Sequence, residues 1–286
     1  MFKEIAVDPA AVAASYLQFN HIIDRFGIPE GRLIAAFPSK WKRLVYEAAN
    51  AQLKGHLDLK RIEERLRKLP QTALLSRERP GQGCAEDWVS AAIEEHRRLP
   101  FDAVVAAPDV GEPGFLQPAD VSIEHPSFAT NRQWHVRRDA ASMADCCGPL
   151  WSSSSHIKLV DPYFDASSRR FKRPFLEFMR RARPGSLVDI FRGDQIDIQQ
   201  YVNGVQRALS EIAPEGTVLR LFIRPQDPMH NRFVLSDVGG VSFQIGLDDD
   251  ATGERPEDIV TVLQNDVWSR EWTRYAGDDC LIRLNL

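Results

Sequence analysis

The chain has 286 residues, 43% of them hydrophobic and 27% charged, a composition that excludes disordered, collagen-like and coiled-coil proteins. The length suits one large domain or two of ordinary size, and we expect two. A formal net charge of −4 gives no global signal for nucleic-acid binding, so a polyanion would have to be bound by a local patch.

The sequence contains no sign of a membrane segment or of a secreted protein. No apolar run approaches the roughly 20 residues that cross a bilayer, and the N-terminus lacks the order of a signal peptide. We therefore expect a cytoplasmic protein with no membrane partner. Cys84, Cys146, Cys147 and Cys280 match neither a zinc motif nor a disulfide framework, which indicates free and mostly buried thiols.

The first hundred residues predict mainly helix. Apolar spacing predicts helices over 9–26, from a cap at Ser39 to Ala48, from a cap at Asp58 to Leu69, and over 85–99. Glycine and proline predict a loop over 71–87, and residues 101–107 predict a short strand. We expect a mainly helical N-terminal domain over residues 1–135.

Residues 40–79 contain eleven basic and five acidic residues, a local net charge of +6. One interpretation is a solvated helix face with pairs such as Glu64 and Lys68. The other is contact with a phosphate backbone, for which Lys40, Lys42 and Arg43 are the candidate residues.

A stretch rich in proline and glycine over 108–138 predicts a linker, and we place the second domain at residues 136–286. Strands are predicted over 157–163, 186–191 and 218–223, with helices over 174–183 and 199–212 between them. This order predicts a parallel sheet flanked by helices, and hence an α/β fold. A hairpin over 232–245 turning at Gly239-Gly240, a helix over 266–275 and a strand over 281–284 follow.

Chemically, the most specific feature is the segment from His230 to Asp237. On a strand, residues i and i+2 point to the same face, so His230 and Arg232 project side by side. An imidazole can attack phosphorus, and a neighbouring guanidinium can hold two phosphate oxygens. A surface pairing beside the hairpin is the alternative reading of the same two residues.

This segment resembles the signature of the phospholipase D superfamily, His-x-Lys-x4-Asp on a strand followed by a turn and a second strand. Arg232 occupies the lysine position, and Gly246-Leu247-Asp248 replaces the usual Gly-Ser-x-Asn. The resemblance covers roughly residues 155–250, about a third of the chain. It implies a phospholipase D-like mixed sheet flanked by helices in the second domain.

The resemblance also implies a function. It implies a metal-independent phosphodiesterase, most simply a nuclease acting on DNA or RNA, similar to intracellular members involved in restriction or antiviral defence. His230 would be the nucleophile, Arg232 would hold phosphate and Asp237 would orient the site, with no metal or other cofactor. Members of the family use two His motifs, and about 150 residues suffice for one half, so a homodimer joining two copies of His230 is expected.

Other residues are candidates for the same cleft. Ligands gather at the carboxyl ends of parallel strands, where Arg192 and Arg224 could bind phosphate, although a surface ion pair is the alternative for each. Asp161-Pro162-Tyr163 predicts a turn at a strand end. His156-Ile157-Lys158 imitates a second motif, but position 163 is tyrosine and only 74 residues separate His156 from His230.

A second function remains open at this point. In a catalytically degenerate module, Arg232 in place of lysine would mark loss of catalysis, and the pocket would bind nucleic acid or phosphate. The same module could instead dock a partner in a multi-subunit system, with the N-terminal domain as docking surface. Arginine is a good phosphate clamp but does not exchange freely with lysine.

Overall fold

The computed structural model describes residues 1–69, 73–75, 79, 87–107, 109–129, 132–209, 216–227, 229–250, 252–277 and 279–285. Most of the predicted loop over 71–87, including Cys84, lies outside these ranges. The chain divides into two compact units, residues 2–131 and residues 132–286.

The N-terminal unit contains a parallel sheet with strand order β3-β2-β1-β4-β5. Its strands are β1 (Lys3–Val7), β2 (Arg32–Ala35), β3 (Leu74–Leu75), β4 (Ala103–Val105) and β5 (Phe115–Leu116). Its helices are α1 (Pro9–Val12), α2 (Tyr16–Ile23), α3 (Trp41–Leu53), α4 (Leu57–Lys68) and α5 (Trp88–Arg98).

The sheet of this unit is buried on both faces. Ile5 and Val7 of β1 belong to one apolar core, and Ala6 between them belongs to a second core. A parallel strand covered on both sides shows no alternation of polar and apolar residues. The expected mainly helical domain is therefore corrected to an α/β unit, because strands of two to five residues leave no periodic signal.

The N-terminal helices differ in detail from the expectation. The predicted helix over 9–26 is divided into α1 and α2, because Ser15 caps a new helix by accepting a hydrogen bond from Gln18 N at 3.1 Å. The helix predicted from Asp58 begins at Leu57, after His56 as the capping residue. The strand predicted over 101–107 is confirmed in its central part as β4.

The C-terminal unit contains a larger mixed sheet, in the order β13-β9-β8-β7-β10-β11-β12-β6. The strands are β6 (Gln133–Arg137), β7 (His156–Val160), β8 (Leu187–Gly193), β9 (Val218–Arg224), β10 (Arg232–Ser236), β11 (Gly239–Phe243), β12 (Glu257–Val262) and β13 (Ile282–Asn285). Strands β7, β8 and β9 are parallel, and the remaining neighbours pair antiparallel.

Helices cover this sheet. They are α6 (Ala140–Cys146), α7 (Gly148–Ser153), α8 (Arg169–Arg181), α9 (Ile198–Leu209) and α10 (Asn265–Arg274). Beneath α10 lies an apolar cluster that contains Phe191, Phe222 and Phe233, and α8 packs on α6 and α7. The alternation of strands and helices from β7 to β9 and the β10–β11 hairpin are confirmed, but the hairpin turns at Asp237-Val238, and Gly239-Gly240, predicted as the turn, begin β11.

Two local expectations are wrong in this unit. Residues 133–137, predicted as part of the linker, form β6 at the edge of the sheet, where they pair with β12. Helix α8 begins at Arg169, five residues before the predicted start at Pro174, so the proline lies inside the helix.

The cysteines that the structure describes are free thiols. Cys146 and Cys147 are free and buried, as predicted, and Cys280 is free and half-buried. In the described part of the chain, no helix has the length and apolarity to cross a membrane.

Candidate functional site

His230 and Arg232 lie at the carboxyl edge of the parallel strands. Strand β10 runs antiparallel to β7, with Phe233 opposite Val160, so the start of β10 lies beside the end of β7. Asp161 follows β7 directly and lies at the same edge. Ligands of α/β sheets bind at this edge, so the position of the two residues suits a binding site.

Arg232 is held between the turn after β7 and the chain before β10. Its Nη1 donates a hydrogen bond to the backbone oxygen of His230 at 2.9 Å, and its Cζ lies 5.7 Å from the centroid of the Tyr163 ring. Its Nε is buried and has no hydrogen-bond partner among the described residues. Because an unpaired buried donor costs about 1–3 kcal/mol, the folded chain leaves part of the hydrogen-bonding capacity of this guanidinium unsatisfied.

Asp161 shapes the turn beneath Arg232. Its Oδ1 accepts from Tyr163 N at 2.8 Å, which is the strand-end turn that the sequence predicts, and its Oδ2 accepts from Leu247 N at 2.9 Å. Burial raises the pKa of this carboxyl, while the two backbone donors and the charge of Arg232 act in the opposite direction. Asp161 therefore joins β7 to the loop after β11 and supplies negative charge close to Arg232.

A polar pocket of 390 Å³ opens beside Arg232, and we call it the arginine pocket. Arg138, Arg170 and Arg255 line it together with Arg232, and five carboxylates lie among them. These carboxylates are Asp161, Asp248, Asp249, Asp250 and Glu254. The pocket therefore combines cationic donors with acidic acceptors.

The acidic loop over 248–250 holds part of the cationic wall in place. Arg138 is buried, and its Nη2 donates to Asp248 Oδ1 at 2.8 Å. Hydrogen bonds from the Thr252 hydroxyl and from backbone N–H groups lower the pKa of Asp250 to about 2. Asp250 is thus an ionised residue at the border of the arginine pocket, whereas burial raises the pKa of its neighbour Asp249.

A second pocket of 490 Å³ lies on the other side of Arg232, and we call it the His230 groove. Its walls include His230, Asn231, Gln133, Ser242 and Gln244, and Arg232 lines both pockets. The imidazole of His230 is exposed, and no described residue makes a hydrogen bond to it. A substrate in this groove can therefore reach the imidazole and the guanidinium at once.

Asp237 does not join this site. Seven residues separate it from His230 along an extended strand, a distance of about 20 Å. Its Oδ2 accepts from Ser155 Oγ at 2.5 Å and from Ser155 N at 3.2 Å, at the amino end of β7. The expected orienting role is therefore corrected: Asp237 fastens the hairpin to the start of β7.

Arg192 and Arg224 line neither pocket. Arg192 is buried, with its Nε donating to Gly193 O and its Cζ 4.5 Å from the centroid of the Tyr201 ring. Arg224 donates two hydrogen bonds to Asp279, at 2.8 and 3.0 Å. This is the surface ion pair that the sequence analysis gave as the alternative to phosphate binding. Arg224 is thus engaged within the unit, whereas Arg192 keeps a buried Nη1 without a hydrogen-bond partner among the described residues and lies outside both pockets.

The other three candidate phosphate ligands belong to the N-terminal unit. Arg43 forms an ion pair with Glu47 at 2.7 Å, and Lys42 donates to Leu69 O. Burial lowers the pKa of Lys42, and Lys40 is exposed at the start of α3. Further along the +6 stretch, Lys68 forms an ion pair with Glu64 at 2.6 Å. Part of the positive charge of this stretch is therefore balanced by acids within the stretch itself.

His156 lies in a different charge cluster. Its Nε2 is 2.7 Å from Asp189 Oδ2, and Arg220 donates to both oxygens of the same carboxylate at 2.7 and 2.8 Å. Burial alone would raise the pKa of Asp189, but the bonds from His156 and Arg220 hold it below the usual value. His156 begins β7, whereas His230 lies beside the end of β7, so the two histidines do not share a site.

Of the residues that line the arginine pocket, only Arg232 was predicted as a site residue. Arg138 and Arg170 are separated from Arg232 by more than 60 positions in the sequence. Asp248 was named only because Gly246-Leu247-Asp248 differs from the family signature. A usable signal existed for Arg170, since residues 169–173 contain four cations immediately before a predicted helix. Among the described residues, no group of three or more His, Cys, Asp or Glu side chains could hold a metal ion.

No protein-family model and no curated protein sequence matches this chain. Among solved structures, it matches part of TrmBL2, described as an archaeal chromatin protein with a novel mode of DNA binding, at 13% identity and a TM-score of 0.29; the match covers 51% of each chain. It also matches a polyphosphate kinase from Porphyromonas gingivalis, at 13% identity and a TM-score of 0.34, over 54% of this chain and 27% of the other. This chain thus spans about half of the first protein and about a quarter of the second, and likenesses this weak carry no information about function.

Proposed function

We propose that the C-terminal unit is a phospholipase D-like phosphodiesterase that cleaves DNA or RNA without a metal ion. The observation that carries this proposal is the placement of His230 and Arg232. An exposed imidazole and a guanidinium with an unused buried donor meet at the carboxyl edge of the sheet, between two polar pockets. A phosphodiester bound there has a nucleophile and a charge clamp within reach.

The reaction takes two displacements. A ring nitrogen of His230 attacks phosphorus, the bond to the leaving oxygen breaks, and that oxygen takes a proton from a second histidine. Water then gives a proton to the second histidine and attacks the phosphohistidine, which releases the phosphate ester and frees His230. Arg232 holds the non-bridging oxygens and balances the added negative charge of each transition state.

We place the second histidine on another copy of the chain, as the family resemblance implies. His156 is engaged with Asp189 at the other end of β7. His135 lies on β6, whose Gln133 lines the His230 groove, and its Nδ1 is 3.6 Å from Glu257 Oε2. Two chains related by a twofold axis would present His230 to each other, with one acting as nucleophile and the other as acid.

His230→Ala is the direct test of this function. We expect the wild-type protein to cleave single-stranded oligonucleotides or plasmid DNA in EDTA, and the variant to lose at least about 100-fold in rate, because both nucleophile and acid are removed. His21→Ala is the matched control, since His21 is also exposed and lies on α2 of the N-terminal unit. Cleavage that requires a divalent metal, or that survives His230→Ala, would refute the proposal.

A binding module is the second candidate, and one observation favours it. No carboxylate among the described residues orients the imidazole of His230, whereas a catalytic histidine is normally held by such a partner. If purified protein binds oligonucleotides with a steep salt dependence but neither it nor any variant cleaves them, the unit is a degenerate phosphate-binding module.

A further inference from the structure

The outer face of α8 carries the densest group of cations in the chain. Residues 169–183 contain seven arginines and lysines and one acid, Glu177, a local charge of +6 in fifteen residues. The +6 stretch predicted from the sequence spreads the same charge over forty residues. Because the field of a surface depends on charge density, α8 is the stronger electropositive surface.

Several of these cations have no partner in the described part of the molecule. The side chains of Arg169, Lys172 and Arg183 make no hydrogen bond or salt bridge to a described residue, and Arg169 and Arg183 are exposed. By contrast, Arg170 and Arg173 lie 3.8 Å from Asp248 and 3.1 Å from Asp249. Arg180 and Arg181 pair with Glu177 and Asp145. A polyanion would therefore find unpaired cations in the first turn of α8 and just after its end.

The apolar face of α8 is already covered. Phe171, Phe175, Phe178 and Met179 are buried, and the Phe178 ring stacks on Trp151 at 5.4 Å. A helix that binds a membrane needs its apolar face free to enter the bilayer. Since only the cationic face of α8 is exposed, it favours a water-borne polyanion over a lipid surface.

The helix is also fixed relative to the arginine pocket. Pro174 has no N–H, so the carbonyl of Arg170 lacks its helical donor, and Asp249 N donates to that carbonyl at 2.8 Å. Arg170 and Phe171 line the arginine pocket together with Arg232. Arg173 and Arg180 line a further pocket of 350 Å³ beside α6. The cations of α8 therefore begin at the arginine pocket, where Asp248 and Asp249 also lie.

We propose that the outer face of α8 binds the phosphate backbone of a nucleic-acid strand and leads it to Arg232. This inference rests on the proposed function, since it names where the substrate strand lies next to that site. The helix has 13 residues and is about 20 Å long, which corresponds to about six phosphates at 3.4 Å of duplex axis per phosphate on one strand. The bound strand is held by charge and carries no base-specific contact from α8.

The test is a double charge reversal, Arg169→Glu with Lys172→Glu. Both positions are in the first turn of α8, where acidic residues stabilise a helix, so the variant is expected to fold. The matched control is Lys60→Glu with Arg67→Glu, two exposed cations of α4 within the sequence-predicted +6 stretch. Both pairs change the net charge of the protein equally.

Binding is measured by fluorescence anisotropy of a 30-nucleotide DNA strand in EDTA, in a His230→Ala background so that the strand stays intact. We expect the α8 pair to weaken binding at least about tenfold and to flatten the plot of log affinity against log salt by about 1.4, the slope of two lost contacts to single-stranded DNA. The α4 pair should change affinity by less than about twofold. Equal losses in both pairs, or no loss in the α8 pair, would overturn the inference.

Two more arms separate this inference from the proposed function and from a lipid partner. With His230 restored, the α8 pair should hydrolyse bis-p-nitrophenyl phosphate like the wild type, because this small diester needs only the His230 groove. If neither the wild type nor any variant cleaves a diester but the α8 double variant still weakens DNA binding, the proposed function is wrong and the inference about DNA binding by α8 stands. If α8 binds phosphatidylserine vesicles and the double variant leaves DNA binding unchanged, the inference is overturned.

Discussion

Arg232 decides what the candidate site can bind. Its charge is opposed by Asp161, its Cζ lies 5.7 Å from the centroid of the Tyr163 ring, and its buried Nε has no acceptor among the described residues. An ammonium at this position would supply charge but no second parallel donor. Arginine in place of the lysine of the signature therefore replaces a point charge with a planar guanidinium that can hold two phosphate oxygens.

Arg232→Ala should raise the KM for bis-p-nitrophenyl phosphate about 10- to 100-fold, because a hydrogen bond to a charged group contributes about 1.5–3 kcal/mol. Arg232→Lys keeps the charge, so its KM should stay within about tenfold of the wild-type value. Steady-state kinetics of the three proteins measure this order. If Arg232→Ala binds the diester as well as the wild type, Arg232 does not contact phosphate.

At the scale of elements, three neighbouring strands are joined by one carboxylate. His156 of β7 and Arg220 of β9 both bond to Asp189 of β8, whose side chain is only 2% exposed. Removal of one member of a buried charge network leaves the others unpaired. This cluster stabilises the amino end of the parallel strands, while the carboxyl end remains available for the site.

Asp189→Asn should therefore lower the free energy of unfolding by about 3 kcal/mol at pH 7. Because the pKa of Asp189 is lowered on folding, its contribution is complete above the usual value of 3.8 and is lost as the pH falls through the folded value. The gap between wild type and variant should thus close under acid. Urea unfolding monitored by circular dichroism at pH 7 and under acid measures it, with the exposed Asp266→Asn as control; a gap independent of pH would contradict this.

At the scale of the whole molecule, the chain contains one candidate site and two units. The N-terminal unit has its own buried ion network, in which Arg79 joins Glu4 at 2.7 Å and Glu95 at 2.8 Å, and its own two apolar cores. Among the described residues of the C-terminal unit, His230 is the exposed histidine that directly neighbours Arg232. Under the proposed mechanism, two copies of the chain are needed for one complete reaction.

The active protein should consequently be a dimer. Analytical ultracentrifugation should give a mass close to twice 32.4 kDa, and specific activity should fall on dilution below the dissociation constant of the dimer. Arg270→Ala is a suitable control for general surface effects, since Arg270 is exposed and contacts only Glu271 among the described residues, at 3.6 Å. A monomer that cleaves DNA in EDTA with constant specific activity would exclude the shared site.

The sequence alone predicted the alternation of strands and helices from β7 to β9 and the β10–β11 hairpin. It placed His230 on the strand and the turn at Gly239-Gly240, but β10 begins at Arg232, the turn is Asp237-Val238, and the two glycines begin β11. The correct predictions rest on local properties, because the hydrophobic period and the two-residue repeat of a strand act within a few residues. The parallel sheet of the N-terminal unit was not predicted, because its short strands are buried on both faces and show no alternation of polar and apolar residues. The distance between His230 and Asp237 along one strand was also available, although the signature placed them in one site.

Only the tertiary structure decided which charges remain available to a ligand. The arginine pocket joins Arg138, Arg170, Arg232 and the acidic loop from distant parts of the chain, and the +6 stretch of the N-terminal unit is partly balanced by its own neighbours. Whether a cation is free depends on the acids that folding brings within 4 Å of it. Composition counts charges along the chain, whereas binding depends on the charges left unpaired once the sheet and its helices have packed.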